Sequence, residues 1–341
     1  MKPIDVCPGT LQEGHSTYST TALRALFNGR KVAHQLTFSD LEARKDQRLR
    51  LQEARTRISI SGVQEKYSIR QEKNRLLLTH AGGTHILKPI PTGLEHADFV
   101  PANEHLTMQI AAQVYKLDVA RNGLIFFAGF FEEGTPAYIT RRFDVRPDGT
   151  RCLKEDFASL LQRTSMANGK NYKYDGSYLQ MAEAIDRYIP AALIAKEKLF
   201  RQVIFNYLFS NGDAHLKNFS VVDYQQDGLY QLSPAYDLIC TRLHIDDSDL
   251  ALTDELYDGD HEHPSFAHYG CYTYDDFYDF GLKTGLMPRR ITDFMALFLS
   301  GEEKVMALIA RSFLSEDLKQ LYRKHYLDKK RRLLTSQSGK L

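Results

Sequence analysis

The sequence predicts an α+β protein of two lobes, a small β-rich lobe followed by a larger helical lobe. From Ile58 to Asp144, short apolar or alternating runs are separated by turn-forming residues, a pattern typical of strands. Beyond Asp144, apolar residues recur at helical spacing instead. A chain of 341 residues is long enough for two such units. We therefore expect an N-terminal extension over residues 1–57, a β-rich lobe over 58–145 and a helical lobe over 146–341.

The elements of the first lobe follow from these local patterns. Before Ser59 the sequence predicts one short helix, Thr21–Phe27, and a polar, basic connector, so this region is interpreted as an appendage. The residues after it predict an antiparallel sheet with a Gly-containing turn at Gly82-Gly83. In order, the predicted strands and the one helix among them are Ile58–Ile69, Arg75–His80, Thr84–Ile90, the helix Asn103–Leu117, and the strands Gly123–Phe130 and Pro136–Asp144.

The second lobe is predicted to be mainly helical, because its apolar residues fall on single helical faces. The predicted helices are Lys154–Arg163, Ser177–Ile189, Lys196–Ser210, Tyr274–Lys283, Pro288–Leu299 and Glu302–Tyr326. Strand-like segments interrupt them at Asn218–Val222 and Leu229–Leu232.

Composition excludes several classes of protein. The formal net charge is +1, from 44 Lys and Arg against 43 Asp and Glu, which argues against nucleic-acid binding through bulk charge. The four cysteines are scattered and form no CxxC pair, so neither a zinc ribbon nor a disulfide scaffold is expected. No stretch approaches eighteen uninterrupted apolar residues. We therefore expect a soluble, cytoplasmic protein without a membrane partner.

The small net charge conceals strong segregation along the chain. Residues 44–75 hold ten basic against four acidic residues, and residues 300–341 hold ten against five. In contrast, residues 243–282 hold eleven acidic residues and no Lys or Arg. Such a block is most often a solvated face. Our alternative hypothesis is that the stretch from Asp246 to Glu262 docks a basic partner or substrate loop.

The motif that carries the most chemical information is NGDAHLKNF, which follows an amphipathic helical run. In kinase-type phosphoryl transfer, an Asp receives or orients the substrate hydroxyl and an Asn five residues later holds a magnesium ion. Asp213 and Asn218 have this spacing, and Asp237 in PAYDLI can supply a second metal ligand. Carboxylate and amide oxygens suit Mg²⁺ better than Zn²⁺.

A kinase site also needs a strand lysine for the phosphates and a helix acid that holds this lysine. Lys88 in a predicted strand and Glu104 at the start of the next helix fit these roles. The segment from Ser59 to Lys66 lies where a phosphate-covering loop is expected, although it has one glycine where protein kinases have three. Taken singly, each residue also fits a structural ion pair, a core histidine or a cap. Their order along two lobes favours a kinase-like site.

These residues resemble the HipA-like serine/threonine kinases, toxins of bacterial toxin–antitoxin systems. The matching segments are SISGVQEK (59–66), THILKP (84–89), NEHLTMQIA (103–111), RRFD (141–144), GDAHLKNFS (212–220) and LSPAYDL (232–238). The resemblance implies a two-lobed, protein-kinase-like fold that uses ATP and Mg²⁺.

The same resemblance implies roles for individual residues. Asp213 would be catalytic, Asn218 and Asp237 would hold Mg²⁺, and Lys88, paired with Glu104, would bind phosphate. The further nucleotide-binding residues that it implies are Ser61, Gly62, Val63, Gln64, Glu65, Lys66, Arg141, Arg142, Phe143, His215, Lys217 and Tyr236. One departure is Arg141, which stands where full-length members carry an acidic residue, so only main-chain contacts to adenine are expected there.

The chain is similar to the short HipT branch of this family, because 58 residues precede Ser59 where full-length members carry an additional subdomain. In that branch a small protein, HipS, and a helix-turn-helix protein, HipB, complete the system, so both kinds of partner are expected, with DNA contacted through the HipB-like one. The resemblance also implies autophosphorylation at Ser59 and Ser61, where added negative charge would oppose ATP binding.

The implied substrate is a serine of an aminoacyl-tRNA synthetase, with the tryptophanyl enzyme favoured and the glutamyl enzyme next. Its phosphorylation would stop translation, and the acidic stretch would meet its basic loop. Two alternatives stay open at this point. One is a small-molecule kinase of the aminoglycoside or choline kinase type, and the other is a catalytically silent corepressor module.

Overall fold

The computed structural model describes residues 4–37, 66–128 and 134–339. Within them the first lobe is built on a six-stranded sheet in the order β1-β5-β6-β4-β2-β3. Every neighbouring pair is antiparallel except β1 and β5. The strands are β1 (Gln35–Thr37), β2 (Tyr67–Glu72), β3 (Arg75–Leu78), β4 (His85–Lys88), β5 (Asn122–Ala128) and β6 (Pro136–Arg141). The predicted antiparallel sheet is therefore confirmed from β2 onward.

The N-terminal residues belong to this lobe. Helix α1 (Thr20–Phe27) begins at Ser19, whose side chain accepts a hydrogen bond from the backbone N–H of Ala22. Leu26 and Phe27 are buried in the same apolar core as Ile69, Leu87 and Ile125 of the sheet. The described part of the segment, 4–37, is thus an integral layer of the lobe, whereas the sequence suggested an appendage. Its packing partners lie far along the chain, so local periodicity carries no signal for it.

Helix α2 (Val100–Gln113) lies between the sheet and the second lobe. It begins three residues earlier than the predicted helix, with Pro101 in its first turn, where a missing N–H costs nothing. Twelve of its residues, from Val100 to Ala111, are buried. Because α2 is buried on nearly every side, it packs against both lobes. Backbone hydrogen bonds also join the lobes, from the N–H of Ala120 to the oxygen of Ala235 and from the N–H of Ala235 to the oxygen of Asp118.

The second lobe contains most of the helices and a three-stranded antiparallel sheet in the order β7-β8-β9. The strands are β7 (Leu153–Asp156), β8 (Ser220–Asp223) and β9 (Gln231–Leu232). The helices are α3 (Phe157–Leu160), α4 (Ser165–Asn168), α5 (Tyr178–Tyr188), α6 (Ala192–Leu208), α7 (Pro264–Tyr269), α8 (Tyr274–Lys283), α9 (Pro288–Leu299), α10 (Glu302–Arg311) and α11 (Glu316–Leu333).

Two predicted helices of this lobe were wrong in extent. Residues 154–156 pair with β8 as a strand, and only the single turn of α3 follows, capped by Asp156, whose side chain accepts from the N–H of Ser159. The long helix predicted from Glu302 is two helices, because the chain turns after Arg311 and Ser315 caps the start of α11. Cross-strand pairing and capping decided both cases over periodicity.

The core of the second lobe is rich in aromatic side chains. Tyr115 stacks on Phe298 with ring centroids 4.9 Å apart, and Phe209 stacks on Tyr326 at 5.2 Å. These rings join α6 to the C-terminal helices and to the residues just after α2. In the part of the chain that the structure describes, no helix is long and apolar enough to cross a membrane.

Candidate active site

The first component of the site is a buried lysine at the end of β4. Lys88 is 4% exposed and donates to Glu104 of α2, with Nζ 2.6 Å from Oε1. It also donates to Oδ1 of Asp237, which comes from the second lobe. The Tyr138 ring on the neighbouring strand lies 5.3 Å from the same nitrogen. A single ammonium group therefore joins the sheet, α2 and the second lobe.

The charges of this cluster are set by competition between burial and pairing. Burial alone would lower the pKa of Lys88, but Asp237 and Glu104 outweigh it and hold that pKa above its ordinary value. Burial alone would raise the pKa of Asp237, yet Lys88 and Lys66 hold it below its ordinary value. For Glu104 burial dominates and raises the pKa. Near neutral pH, Lys88 is thus an ammonium and Asp237 a carboxylate.

The second component is the loop after α6. A 3₁₀ turn at Leu216–Asn218 brings the Asn218 side chain back, so that its amide nitrogen donates to the backbone oxygen of Asp213 at 2.9 Å. The Asp213 side chain is 46% exposed and receives a hydrogen bond from Tyr174, with OH and Oδ1 2.6 Å apart. The predicted pair Asp213 and Asn218 therefore forms one compact loop.

Gly212 allows this loop to approach the acidic stretch closely. A methyl group at Gly212 would lie 2.6 Å from the backbone oxygen of Ser248 and closer still to the Asp247 carboxylate. The N–H of Gly212 donates to Thr241 at 2.9 Å, which fixes the loop against the segment that follows Asp237. A glycine is needed here because there is no room for a side chain. Backbone conformation is not the reason, since the φ of this glycine is not positive.

Asp237 follows β9 with φ of 56°, a left-handed conformation that non-glycine residues adopt infrequently. Its carboxylate points at both lysines of the first lobe, and Lys66 Nζ lies 3.2 Å from Oδ2. Its backbone oxygen accepts a hydrogen bond from Asn211 at 3.4 Å. The strained backbone thus coincides with the residue that joins the two components of the site.

The predicted hinge residues do not all face the same way. Arg141 Nη1 donates to Asn28 of the N-terminal segment at 2.6 Å, and the Arg142 guanidinium forms a bidentate pair with Asp144. The Phe143 ring instead meets the Tyr236 ring, with centroids 5.6 Å apart. These two aromatic side chains are therefore brought together, whereas the two arginine side chains pair elsewhere.

Of the remaining phosphate-binding candidates, His215 lies beside Asp213, whereas Lys217 pairs with Asp156 instead. His215 lies 4.0 Å from Asp213, measured from Nε2 to Oδ1, and burial lowers its pKa, so it is neutral near pH 7. Its Nδ1 is buried without a hydrogen-bond partner among the described residues. Lys217 is turned aside and pairs with Asp156 at 2.7 Å. The Tyr236 hydroxyl donates to the Lys217 backbone oxygen at 2.9 Å.

The donor set fits Mg²⁺. The Asn218 amide nitrogen is occupied by the Asp213 carbonyl, which leaves the amide oxygen as the ligand atom on that side chain. Asp237 is a carboxylate whose lysine contacts compensate its charge. One amide and one carboxylate oxygen, completed by water and phosphate oxygens, form a hard-ligand set of the kind that Mg²⁺ prefers. Of the residues predicted for this site, Ser59, Ser61, Gly62, Val63, Gln64 and Glu65 lie outside the described residues.

A second acidic cluster lies apart from the predicted residues. Glu255, Asp260 and His261 offer ligand atoms within 4.8 Å of one another. The Tyr272 hydroxyl lies within hydrogen-bond distance of both carboxylates, and His261 Nε2 lies 2.5 Å from Glu255 Oε2. The three side chains of this cluster therefore already have hydrogen-bond or ion-pair partners.

Sequence reasoning missed Tyr174, whose hydroxyl is on the predicted catalytic carboxylate, and the contact of Lys66 with Asp237. Tyr174 is 39 residues from Asp213 in the chain. No spacing or composition around Tyr174 distinguishes it from the other tyrosines, so nothing in the sequence could have identified it.

Comparison with known proteins decides the family. Residues 58–301 match the HipA-like C-terminal domain. The chain belongs to this HipA-like family. A relative from Haemophilus influenzae, named "Putative kinase", is 28% identical over 325 residues, which are 89% of each chain. The serine/threonine-protein kinase toxin HipA of Shewanella oneidensis is 24% identical over 210 residues, 57% of this chain and 46% of that protein.

Solved structures support the kinase-like fold of this HipA-like chain. One is a complex of HipA, HipB and operator DNA from Shewanella oneidensis, with a TM-score of 0.60, 21% identity, and coverage of 81% of this chain and 65% of that one. Another is the Helicobacter pylori proinflammatory kinase CtkA, with a TM-score of 0.51, 17% identity, and coverage of 78% and 90%. The predicted two-lobed α+β fold and the family resemblance are confirmed. This chain spans about two thirds of the HipA chain in that complex.

Proposed function

We propose that this protein is an ATP-dependent serine/threonine protein kinase that acts as the toxin of a toxin–antitoxin system. The observation that carries the proposal is the buried contact of Lys88 with both Glu104 and Asp237, beside the loop of Asp213 and Asn218. Kinase-type phosphoryl transfer needs this set of groups, because its catalysis consists mainly of positioning and charge stabilisation.

Each group has a defined task in this proposal. Lys88 contacts the phosphates of ATP, and Glu104 holds it in place. Asn218 and Asp237 would hold Mg²⁺, which neutralises charge on the phosphates when bound. Asp213, whose side chain is 46% exposed, receives the proton of the substrate hydroxyl. Lys66 would have to release Asp237 Oδ2 for that oxygen to hold the ion.

The adenine would lie against Phe143 and Tyr236, whose rings are in contact at the junction of the two lobes. The backbone N–H groups of Arg141 and Arg142 already donate to Arg121 and Thr84. Phe143 is therefore the hinge residue that we expect to offer its backbone to the base. We do not expect the Arg141 side chain to contact the nucleotide, because it is paired with the N-terminal segment.

The proposed substrate is an aminoacyl-tRNA synthetase, the tryptophanyl enzyme first and the glutamyl enzyme second. Its basic, ATP-binding loop suits the acidic stretch that begins at Asp246, because this stretch lies along the loop of Gly212 and Asp213. The proposed partners are a HipB-like protein, which would contact the DNA, and a HipS-like small protein.

The test is phosphate transfer from labelled ATP by purified wild-type protein and by Asp213→Ala. We expect Mg²⁺-dependent labelling of tryptophanyl-tRNA synthetase on serine, and no labelling with the variant. Glutamyl-tRNA synthetase, an aminoglycoside and choline serve as competing acceptors. Transfer to a small molecule and to neither synthetase would identify a small-molecule kinase. Absence of any transfer, with DNA-bound repression intact, would identify a silent corepressor.

We also propose regulation by autophosphorylation at Ser59 and Ser61, in the predicted phosphate-covering segment that ends at Lys66. A phosphate there adds about −1.5 to −2 charge and would oppose binding of the ATP triphosphate. Mass spectrometry of wild-type protein should find phosphate on one or both serines, and none in Asp213→Ala. Active enzyme with unmodified loop serines would refute this part of the proposal and leave the kinase activity standing.

A further inference from the structure

A turn of three residues lies across the loop that carries Asp213. In this 3₁₀ turn, Tyr172–Tyr174, the Tyr174 hydroxyl is 2.6 Å from Asp213 Oδ1 and the Tyr174 ring meets the His215 ring edge-on at 5.3 Å. Lys173 Nζ lies 4.0 Å from the same carboxylate oxygen, and Lys217 Nζ lies 5.9 Å from the Tyr172 ring. Every residue of the turn thus meets the catalytic loop.

The direction of the hydrogen bond is fixed by chemistry. An ionised carboxylate only accepts hydrogen bonds, so the phenol is the donor. Burial raises the pKa of Tyr174, and the neighbouring carboxylates of Asp213 and Asp247 raise it further. Lys173 and the neutral His215 are the other titratable groups beside this phenol. The hydroxyl therefore keeps its proton throughout the neutral range.

The turn is firmly anchored. The backbone oxygen of Tyr174 accepts from the N–H of Thr253 at 2.8 Å, and its N–H donates to the Asn171 oxygen at 2.9 Å. The next residue, Asp175, accepts from Asn168 Nδ2 at 2.6 Å. Asp213 nevertheless remains 46% exposed. An anchored donor on one oxygen of a half-exposed carboxylate orients that group without covering it.

We infer that Tyr174 is a positioning residue for the proposed phosphoryl transfer. By donating to Oδ1 it fixes the rotation of the Asp213 carboxylate, so that Oδ2 faces the acceptor hydroxyl. In the transfer, the acceptor oxygen bonds to the γ-phosphorus, the bond from phosphorus to the ADP oxygen breaks, and the hydroxyl proton passes to Asp213. Tyr174 neither gains nor loses a proton. The inference rests on the proposed function and adds a residue that the family motifs do not contain.

The first test is the kinetics of Tyr174→Phe, with Tyr188→Phe as the matched control at an exposed tyrosine. We expect kcat to fall by about 10- to 100-fold, as is usual when a group that orients an acid or base is lost. KM for ATP, KM for the protein substrate and the melting temperature should stay close to wild type. An unchanged kcat would overturn the inference. A raised kcat would also overturn it, because the turn would then obstruct the acceptor.

A second test keeps the shape of the side chain and changes only its acidity. We expect a fluorinated tyrosine at position 174, whose phenol ionises at lower pH, to move the alkaline fall of kcat to lower pH, because the ionised phenol can no longer donate to Asp213. A packing role would leave this pH profile unchanged, and that result would overturn the inference. An inactive wild-type protein would refute the proposed function itself, whereas an active wild type with normal Tyr174 variants would refute the inference alone.

Discussion

At the scale of single residues, Lys88 is the cation that pairs with both Glu104 and Asp237 in the candidate site. It is buried and faces two carboxylates, and its replacement leaves Glu104 without its cation and Asp237 with Lys66 alone. We predict that Lys88→Met lowers kcat by at least about 100-fold, the usual cost of losing a charge that stabilises a transition state. It should also destabilise the fold by about 3 kcal/mol, because a buried acid is left unpaired.

Steady-state kinetics and urea unfolding measure these two effects separately. The matched control is Glu104→Gln, which removes the partner and leaves Lys88 paired with Asp237, so we expect a smaller loss in both measurements. A Lys88→Met protein whose kcat stays within a few-fold of wild type would contradict the assigned role of Lys88.

At the scale of elements, the C-terminal helix α11 is bound to the acidic stretch through Asp249. Lys329 is 2% exposed and pairs with one oxygen of Asp249, while Arg332 Nη1 lies 2.9 Å from the other. Arg242 approaches the same carboxylate to 3.3 Å and donates to the Asp247 backbone oxygen at 2.7 Å. Lys329 and Arg332 of α11, together with Arg242, therefore hold the segment that borders the predicted catalytic loop.

Because Lys329 is buried, it makes the stability of the fold depend on pH. Burial lowers its pKa from 10.5 to about 8, although Asp249 opposes this shift. Between these two values the unfolded chain binds a proton that the folded chain has released, so raising the pH stabilises the fold. We predict that, from pH 7 to pH 10, the unfolding free energy of wild type rises by about 2 kcal/mol relative to that of Lys329→Met.

Urea unfolding of both proteins across this pH range provides the measurement. The difference between the two proteins cancels the titration of the other groups. A difference that is flat with pH for Lys329→Met would show that its ammonium is not held at a lowered pKa.

At the scale of the whole molecule, the acidic stretch of the sequence lies beside the candidate site. The acidic stretch pairs through its backbone with the Tyr174 turn, since Thr253 and Asp254 donate to the oxygens of Tyr174 and Gly176. Of its acids, Asp249 is neutralised by α11, whereas Asp246 is exposed and Asp247 lies against Gly212. Asp246 and Asp247 therefore place negative charge next to the predicted catalytic loop.

We predict that the double variant Asp246→Lys and Asp247→Lys slows phosphorylation of the protein substrate by about tenfold or more, mainly through KM or association, because complementary charge steers encounter. Autophosphorylation should stay near its wild-type rate, since it does not need this encounter. Raising the salt concentration should reduce the difference. Glu303→Lys, at an exposed position of α10 outside the stretch, is the matched control and should leave both rates near wild type. Equal slowing of both reactions would indicate damage to the catalytic loop instead of lost docking.

The sequence by itself determined the order of the two lobes, the strands and helices that carry Lys88 and Glu104, and the loop of Asp213 and Asn218, because periodicity, turn residues and short motifs act within a few residues of the chain. The tertiary structure decided which distant groups meet. It placed Tyr174 on Asp213, Lys66 on Asp237, Lys329 on Asp249 and the N-terminal segment against the sheet. Each of these contacts joins residues that lie far apart in the chain. Their pairing arises from burial and charge compensation in the assembled fold, and these are properties of the packed chain.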